Sequence, residues 1–427
     1  MRDDPRLKQA LIDKGVILHA PASSLVADLD PERIEAGVEI FPGSSVVGSR
    51  TLLGAGTRLG RAGGGWFEDL QAGRQVEVFG GFCQDCVLLD RVRVRGQAEL
   101  RFGTLLEEAS SAAHHVGLKM AVLLPRVTLG SLVNLADVLV AGGRGGPDFT
   151  EIGSVFALYN YSPQGDKWAS RFGDVPEGVF LRSPRIFVGG QAQIVSPVHI
   201  GYGSVVAAGG GLRHDLPAGR LAAEAAPVLD RDFDPARYGP LHRKLLRSAE
   251  LIGNLAALCD WYDAVRIPLA AGDPLRAELF RAARRQIEAG ARERVARLDA
   301  LVGRLPASQA RHEAALDRAD PEQGARHQAC LAEHAAILAS WPRARTALLE
   351  PWRSNGDPAE PALQAIASRL AQAMAQGADY LASVRDALDP AAIESGRAVL
   401  QRRVDRVVQA SGFPALANAS QPPDVVT

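Results

Sequence analysis

Aliphatic residues recur at every sixth position over long stretches in the first half of this 427-residue chain. The clearest run contains Val188, Ile194, Ile200, Val206 and Leu212. An α-helix repeats about every 3.6 residues and a strand about every two, so neither produces this spacing. The spacing predicts a triangular coil, in which each flat side takes about six residues and points one aliphatic side chain inward. Because one coil cannot bury its own apolar residues, the coils must stack, about 4.8 Å apart, into a parallel β-helix.

Three further runs keep the same step and extend the prediction toward the N-terminus. They are Ile40, Val46 and Leu52; Phe41, Val47, Leu53 and Leu59; and Val76, Phe82, Leu88, Val94 and Leu100. The alternative fold, an antiparallel β-sandwich, would show alternation at every second residue with a turn about every 8–12 residues. The repeat is typical of the left-handed parallel β-helix of hexapeptide-repeat proteins, most of which are acyl-CoA-dependent acyltransferases. We expect the residues of these runs to point into its core.

The composition changes near residue 220, where glycine and β-branched residues give way to Ala, Leu, Arg and Glu with helical periodicity. Asp273 and Pro274 are a favourable N-cap and first residue for a helix, which Pro306 is expected to end. Helices are also predicted over about 240–266, 320–347, 359–387 and 390–410. The domain prediction is an N-terminal arm over 1–30, a β-helix over 31–220, an all-α region over 221–410 and a disordered tail over 411–427.

The overall composition argues against several classes of partner. A net charge of −1 does not favour a nucleic acid or a membrane surface. The sequence has neither a signal-peptide pattern nor an apolar run long enough to span a bilayer, so a cytoplasmic location is expected. Four cysteines do not form a disulfide framework in a chain of this length. Cys83 and Cys86 lack two further ligands at zinc-site spacing, and no metal is predicted.

Four segments of the first half carry a family resemblance. They are ALIDKGVILHAPAS over 10–23, AELRFG over 98–103, IGSVFALYNYSPQGDK over 152–167, and the stretch 187–219 that starts with FVGGQAQIVSPV. Together they resemble the acetyltransferase half of the bifunctional UDP-N-acetylglucosamine pyrophosphorylase/glucosamine-1-phosphate acetyltransferase. The resemblance covers roughly residues 10–220. It implies a homotrimer, with acetyl-CoA bound in the groove between neighbouring chains and a histidine that removes a proton from the sugar amine.

The same resemblance assigns positions for ligand binding. The positions implied for the sugar phosphate are Arg101, Asn160, Tyr161 and Lys167. Those implied for the coenzyme are Gly190, where the family has a serine, and Ala208. A further family lysine falls on Pro125, and the neighbouring Arg126 is the candidate to replace it.

One departure concerns the catalytic base. The family's histidine falls on Asp137. An aspartate with an ordinary pKa of about 3.9 is a weak base toward an ammonium group, although burial can raise that pKa. The alternative base is His115, next to His114, because imidazole titrates near neutral pH.

Three hypotheses about function follow from this sequence. The leading one is an acyl-CoA-dependent transferase that acetylates an amino-sugar phosphate or a nucleotide sugar, with Asp137 or His115 as the base. The second is a non-catalytic protein that binds a sugar phosphate or nucleotide sugar on the same scaffold, and the third is a structural protein whose helices make the contacts. A UDP-N-acetylglucosamine pyrophosphorylase is disfavoured, because its glycine-rich look-alike over 52–60 lies inside the period-six pattern.

Overall fold

The structure of the protein is a computed structural model that describes residues 3–157, 163–225, 234–317, 319–352 and 360–416. A parallel β-helix of about eleven coils forms its first part, and a group of helices follows. The predicted fold class is therefore confirmed.

The β-helix has three faces, and each strand pairs in parallel with the equivalent strand of the next coil. The first face consists of β1 (Ile17–Leu18), β3 (Glu39–Ile40), β6 (Arg58–Leu59), β9 (Glu77–Val78), β12 (Arg93–Val94), β15 (Ser111–Ala112), β17 (Val127–Leu129), β19 (Thr150–Ile152), β22 (Phe187–Val188), β25 (Val205–Val206) and β27 (Leu221–Ala222). The second face consists of β2 (Leu25–Ala27), β4 (Ser44–Val47), β7 (Gly65–Glu68), β10 (Gly81–Gln84), β13 (Ala98–Leu100), β20 (Val155–Ala157), β23 (Ala192–Ile194) and β26 (Gly211–Leu212). The third face consists of β5 (Leu52–Leu53), β8 (Gln71–Ala72), β11 (Cys86–Leu88), β14 (Thr104–Leu106), β21 (Ser170–Phe172) and β24 (His199–Ile200). The longer strands β16 (Gly117–Leu123) and β18 (Asn134–Val140) run along both the second and third faces.

Most residues of the period-six runs lie in the core, as predicted, but Phe41, Val47, Leu52 and Phe82 are not part of it. Leu53 and Cys83 occupy the inward positions, whereas Leu52 and Phe82 project from the outer surface. The cause is the alternation of side chains along a strand, because an offset of one residue moves a side chain to the opposite side. The first coil begins at Ile17, inside the stretch predicted as an arm.

The corner between the second and third faces is turned by residues with left-handed backbone conformations. We call it the second corner, and its residues are Gly48, Asp69, Asp85, Gly103, Met120 and Asp137, with φ angles from 49° to 104°. Glycine adopts this conformation without strain, and aspartate tolerates it better than most residues. The corner between the first and second faces, which includes His115 and Gly190, is the first corner. The corner between the third and first faces, which includes Arg126, is the third corner.

Two helices belong to the β-helix part, and nine described helices follow it. Helix α1 (Pro5–Asp13) buries Leu11 in the β-helix core, and α2 (Val175–Gly178) lies between β21 and β22. The later helices are α3 (His242–Trp261), α4 (Ile267–Leu269), α5 (Pro274–Val302), α6 (Leu305–Leu316), α7 (Pro321–Leu349), α8 (Pro361–Ala375), α9 (Tyr380–Asp386), α10 (Pro390–Ala410) and α11 (Phe413–Leu416). No helix in the described ranges is both long and apolar enough to cross a membrane.

The helix boundaries agree with the sequence in part. Helix α5 starts where predicted, and the Asp273 carboxylate accepts a hydrogen bond from the Arg276 amide at 3.1 Å. Pro306, predicted as a stop, instead lies in the first turn of α6, a helix that the sequence pattern did not predict. Proline is compatible with this position because the first-turn amides have no partner within the helix. The stretch predicted as one helix over 359–387 consists of α8 and α9, with Gly377 between them at a φ of 97°.

The helical region packs on the third face of the β-helix. The outward residues of that face are apolar and buried among the helices: Leu52, Val87, Leu105, Val122 and Leu139. Complete burial of such side chains stabilises a fold by about 1.5–3 kcal/mol each. The third face is thus covered on its outer side by the protein's own helices.

Candidate ligand-binding site

Asp137, the residue at the family's base position, is buried beneath helix α5. It lies in the second corner, within β18, at a φ of 59°. Its side chain is 2% exposed and forms an ion pair with the guanidinium of Arg294, which is 1% exposed. The Nη1 of Arg294 also donates a hydrogen bond to the Lys167 carbonyl oxygen at 2.6 Å. The carboxylate therefore contacts a cation of the helical region instead of solvent.

Helix α5 reaches Asp137 because it follows the second corner from coil to coil. Gln286 accepts a hydrogen bond from the Gly103 amide at 2.9 Å and donates one to the Asp85 carboxylate at 2.7 Å. One helical turn after Gln286, Gly290 lies next to the terminal methyl group of Met120. One turn further, Arg294 forms the ion pair with Asp137. A helical turn rises about 5.4 Å and successive coils lie about 4.8 Å apart, so every fourth residue of α5 meets a new coil.

Four basic side chains surround this point, and we call Arg101, Lys119, Lys167 and Arg297 the basic cluster. Arg101 and Lys119 occupy equivalent outward positions in adjacent coils of the second face, because Leu100 pairs with Leu118. The Nζ of Lys119 lies 4.5 Å from the centre of the Phe102 ring. Arg101 thus directly follows β13 and Lys119 lies in β16, while Lys167 lies between β20 and β21 in the chain and Arg297 lies in α5.

The basic cluster carries more positive than negative charge. Arg101 lies 3.3 Å from a Glu99 carboxylate oxygen, and Arg297 lies 2.9 Å from one of Glu293. With Arg294 included, five basic side chains stand against three acidic ones, Glu99, Asp137 and Glu293, which leaves two positive charges in excess.

Burial and the neighbouring positive charges both lower the pKa values of the two lysines. Burial lowers the pKa of Lys167, Asp137 raises it, and Arg297, Lys119 and Arg101 lower it further. Burial is also the main cause that lowers the pKa of Lys119, with Arg297 and Arg101 next. An anion bound among these side chains would relieve the repulsion between them.

A cleft of about 190 Å³ opens beside the basic cluster, with Lys167 and Arg297 among its lining residues. Pockets for drug-sized ligands are usually about 300–1,000 Å³. The cleft therefore suits a group such as a phosphate better than a complete nucleotide sugar.

The coenzyme positions and the alternative base lie at the first corner. His115 is exposed, at a φ of 59°, and its Nδ1 lies 2.8 Å from the Nδ1 of His114. Gly190 and Ala208 follow at the same corner in later coils, where the Gly190 carbonyl accepts a hydrogen bond from the Gly209 amide at 2.9 Å. The width of the second face separates these residues from Asp137 within one chain.

Arg126 lies at the third corner, apart from the other phosphate-binding candidates. Its Nη1 donates a hydrogen bond to the Arg144 carbonyl oxygen at 2.7 Å. Burial and the nearby Arg385 lower its pKa. The predicted residues Asn160 and Tyr161 lie outside the described residues. Within the described ranges, no group of three or more His, Cys, Asp or Glu residues is arranged to hold a metal ion.

Comparison with known proteins supports the resemblance. No protein-family model matches the chain. The bifunctional protein GlmU of Thermotoga sp. is 24% identical over 212 residues, or 49% of this chain and 42% of that protein. The GlmU proteins of Pelobacter propionicus and Heliobacterium modesticaldum are 26% and 28% identical, over 48% and 51% of this chain and 43% of each relative. About half of this chain is similar to GlmU. The chain spans less than half the length of these relatives.

Three functional candidates were not identified from the sequence or from the resemblance to GlmU. Lys119 could have been found, because it stands one coil after Arg101 at an equivalent position. Arg294 and Arg297 lie on a long amphipathic helix, where charged residues are common. No sequence signal distinguishes these two arginines from the others of α5.

Proposed function

We propose that this protein binds a sugar phosphate at the basic cluster, on a scaffold similar to the acetyltransferase half of GlmU, and that Asp137 has a structural role there. The observation that carries this proposal is the buried ion pair between Asp137 and Arg294. It favours the binding hypothesis over acetyl transfer with Asp137 as the base.

The environment of Asp137 opposes proton transfer from a substrate amine. The guanidinium of Arg294 forms a buried ion pair with this carboxylate, so the carboxylate faces a fixed cation and not a substrate amine. A general base must also come within hydrogen-bond reach of the proton that it removes. With 2% of its side chain exposed beneath α5, Asp137 does not offer that access.

The basic cluster suits a phosphate monoester, whose two negative charges match the surplus of two positive charges. Arg101 and Arg297 each present a planar set of donors suited to phosphate oxygens, and the lysines add mobile point charges. By resemblance, Asn160 and Tyr161 would add contacts to the sugar. Arg126 has no part in this site, because it lies at a different corner.

Acetyl transfer is the second candidate, and the similarity to GlmU favours it. In this hypothesis acetyl-CoA lies along the first corner, near Gly190 and Ala208. A homotrimer would bring the first corner of one copy to the second corner of its neighbour. His115 would accept the amine proton as the nitrogen attacks the thioester carbonyl and the coenzyme thiol leaves.

Titration calorimetry with glucosamine 1-phosphate tests the binding proposal. Hydrogen bonds to charged groups contribute about 1.5–3 kcal/mol, so Lys167→Gln and Arg297→Gln should each weaken binding by roughly tenfold or more. The matched control is Arg95→Gln, which removes an exposed arginine elsewhere and should leave the affinity unchanged. Equal affinity in the wild type and a Lys167→Gln/Arg297→Gln double variant would contradict the proposal, as would no binding at all.

A further inference from the structure

Two aromatic side chains stand next to each other on the outer surface of the second face. Trp66 lies in β7 and Phe82 in β10, and the two residues pair in register in adjacent coils. Both side chains are partly exposed, and neither belongs to the apolar cluster that the helices cover. The indole Nε1 of Trp66 donates a hydrogen bond to Glu68 at 3.1 Å, which orients the ring. We call this pair the aromatic platform.

The aromatic platform adjoins the basic cluster on the same face. Phe82 pairs with Glu99 in the next coil, and Arg101 follows two residues later. Phe82 and Arg101 differ by one coil along the β-helix axis, about 4.8 Å, and by two residues along the strand, about 3.3 Å each. Because these directions are perpendicular, the two backbones lie roughly 8 Å apart. Glu99 lies between them, and its carboxylate is 3.3 Å from Arg101.

We propose that the second face binds a nucleoside diphosphate, with the base stacked on the aromatic platform and the phosphates on the basic cluster. This inference rests on the proposed function, because it uses the same basic cluster. Stacking on an aromatic ring accepts any base, since every base has a π-face. The surplus positive charge complements the diphosphate, and the Glu99 carboxylate accepts hydrogen bonds from ribose hydroxyls. Nucleotide sugars and coenzyme A both contain this unit.

Tryptophan fluorescence can report on the platform directly. The protein has five tryptophans. The other four, Trp168, Trp261, Trp341 and Trp352, are between 1% and 7% exposed. Because Trp168 lines the cleft beside Lys167, the loss of quenching in Trp66→Phe is the result that assigns the signal to Trp66.

The experiment titrates the full-length protein with UDP-N-acetylglucosamine, acetyl-CoA and inorganic phosphate, and follows both fluorescence and heat. We expect at least one nucleotide to quench the emission and inorganic phosphate to leave it unchanged. Trp66→Phe should abolish the quenching and keep the nucleotide affinity within about twofold of the wild type. Trp66→Ala should weaken nucleotide binding about tenfold and leave the affinity for inorganic phosphate unchanged. Quenching by UDP-N-acetylglucosamine alone would identify a nucleotide sugar, and quenching by acetyl-CoA alone would identify the coenzyme.

The inference is overturned if neither nucleotide quenches or binds more tightly than inorganic phosphate. It is also overturned if Trp66→Ala leaves the nucleotide affinity unchanged. A lower mass in light scattering would then identify the platform as an interface between copies. In both cases the proposed phosphate site still stands if Lys167→Gln weakens phosphate binding. A Lys167→Gln variant with unchanged phosphate affinity would instead remove the proposed function itself.

Discussion

The guanidinium of Arg294 in helix α5 forms a buried ion pair with the carboxylate of Asp137 in strand β18. The pair joins the helical region to the β-helix at the position where the resemblance to GlmU implies a catalytic histidine. In this protein that position holds the two parts of the chain together. The five basic side chains at this point exceed the three acidic ones by two charges.

The first prediction concerns the ion pair itself. Asp137→Asn should leave the Arg294 charge buried without its partner and lower the free energy of unfolding by about 3–5 kcal/mol. Arg294→Met should have a similar cost, because it leaves the carboxylate unpaired. The double variant should lose clearly less stability than the sum of the two single changes. Urea unfolding of the four proteins measures this coupling, and strictly additive losses would show that the pair is not formed.

The second prediction concerns the cover on the third face. Val122 points outward from the β-helix, yet it is 5% exposed because the helices pack over it. Val122→Asp would bury an unpaired charge and should lower the melting temperature strongly. Val205→Asp changes a partly exposed outward residue of the first face and serves as the control, with a much smaller expected loss. Similar melting temperatures for the two variants would mean that the helices do not cover the third face.

A third prediction follows from a buried carboxyl between the two parts of the chain. The Glu107 side chain accepts a hydrogen bond from the Tyr262 hydroxyl at 2.5 Å, and the neighbouring Glu108 forms an ion pair with Arg266. Burial is the main cause that raises the pKa of Glu107, Arg266 lowers it, Glu108 raises it and the Tyr262 hydrogen bond lowers it, and the net value is about 7.

The folded protein therefore keeps a proton that the unfolded chain releases at its ordinary pKa of 4.5. The contribution of Glu107 to the free energy of unfolding should fall as the pH rises from about 4.5 to about 7, because only the folded state binds this proton in that interval. His199 and His334, whose burial lowers their pKa from 6.5 to about 4, contribute in the opposite direction over part of the same range. Glu107→Gln should remove this falling contribution and make the slope of the profile more positive, and Glu99→Gln, on the surface, should not. Unfolding measured across this pH range would refute the assignment if the Glu107→Gln profile kept the wild-type slope.

The β-helix was predictable because its period of six is a direct consequence of three flat sides per coil. The exact inward positions were less predictable, as Leu52 and Phe82 show, since each strand offers two adjacent apolar candidates. A second signal was present in the sequence: the third face carries adjacent aliphatic pairs, such as Leu105 with Leu106 and Leu139 with Val140. Such pairs indicate a strand that is buried on both sides.

The candidate site was predictable only where it lies on the β-helix. Arg101 and Lys167 followed from the resemblance, and the structure brings them together. The ion pair of Asp137 did not follow, because its partner Arg294 lies far away in the chain, in a helix outside the segments that carry the resemblance. His115, Gly190 and Ala208 share one corner, but only a second copy of the chain could bring them to the basic cluster.

The most direct test of this account mixes the purified protein with acetyl-CoA and glucosamine 1-phosphate and measures thiol release, with calorimetry on the same sample. We expect glucosamine 1-phosphate to bind and thiol release to stay at the background rate, because Asp137 is held by Arg294. Thiol release that is well above background in the wild type and absent in a folded Asp137→Asn variant would contradict the account.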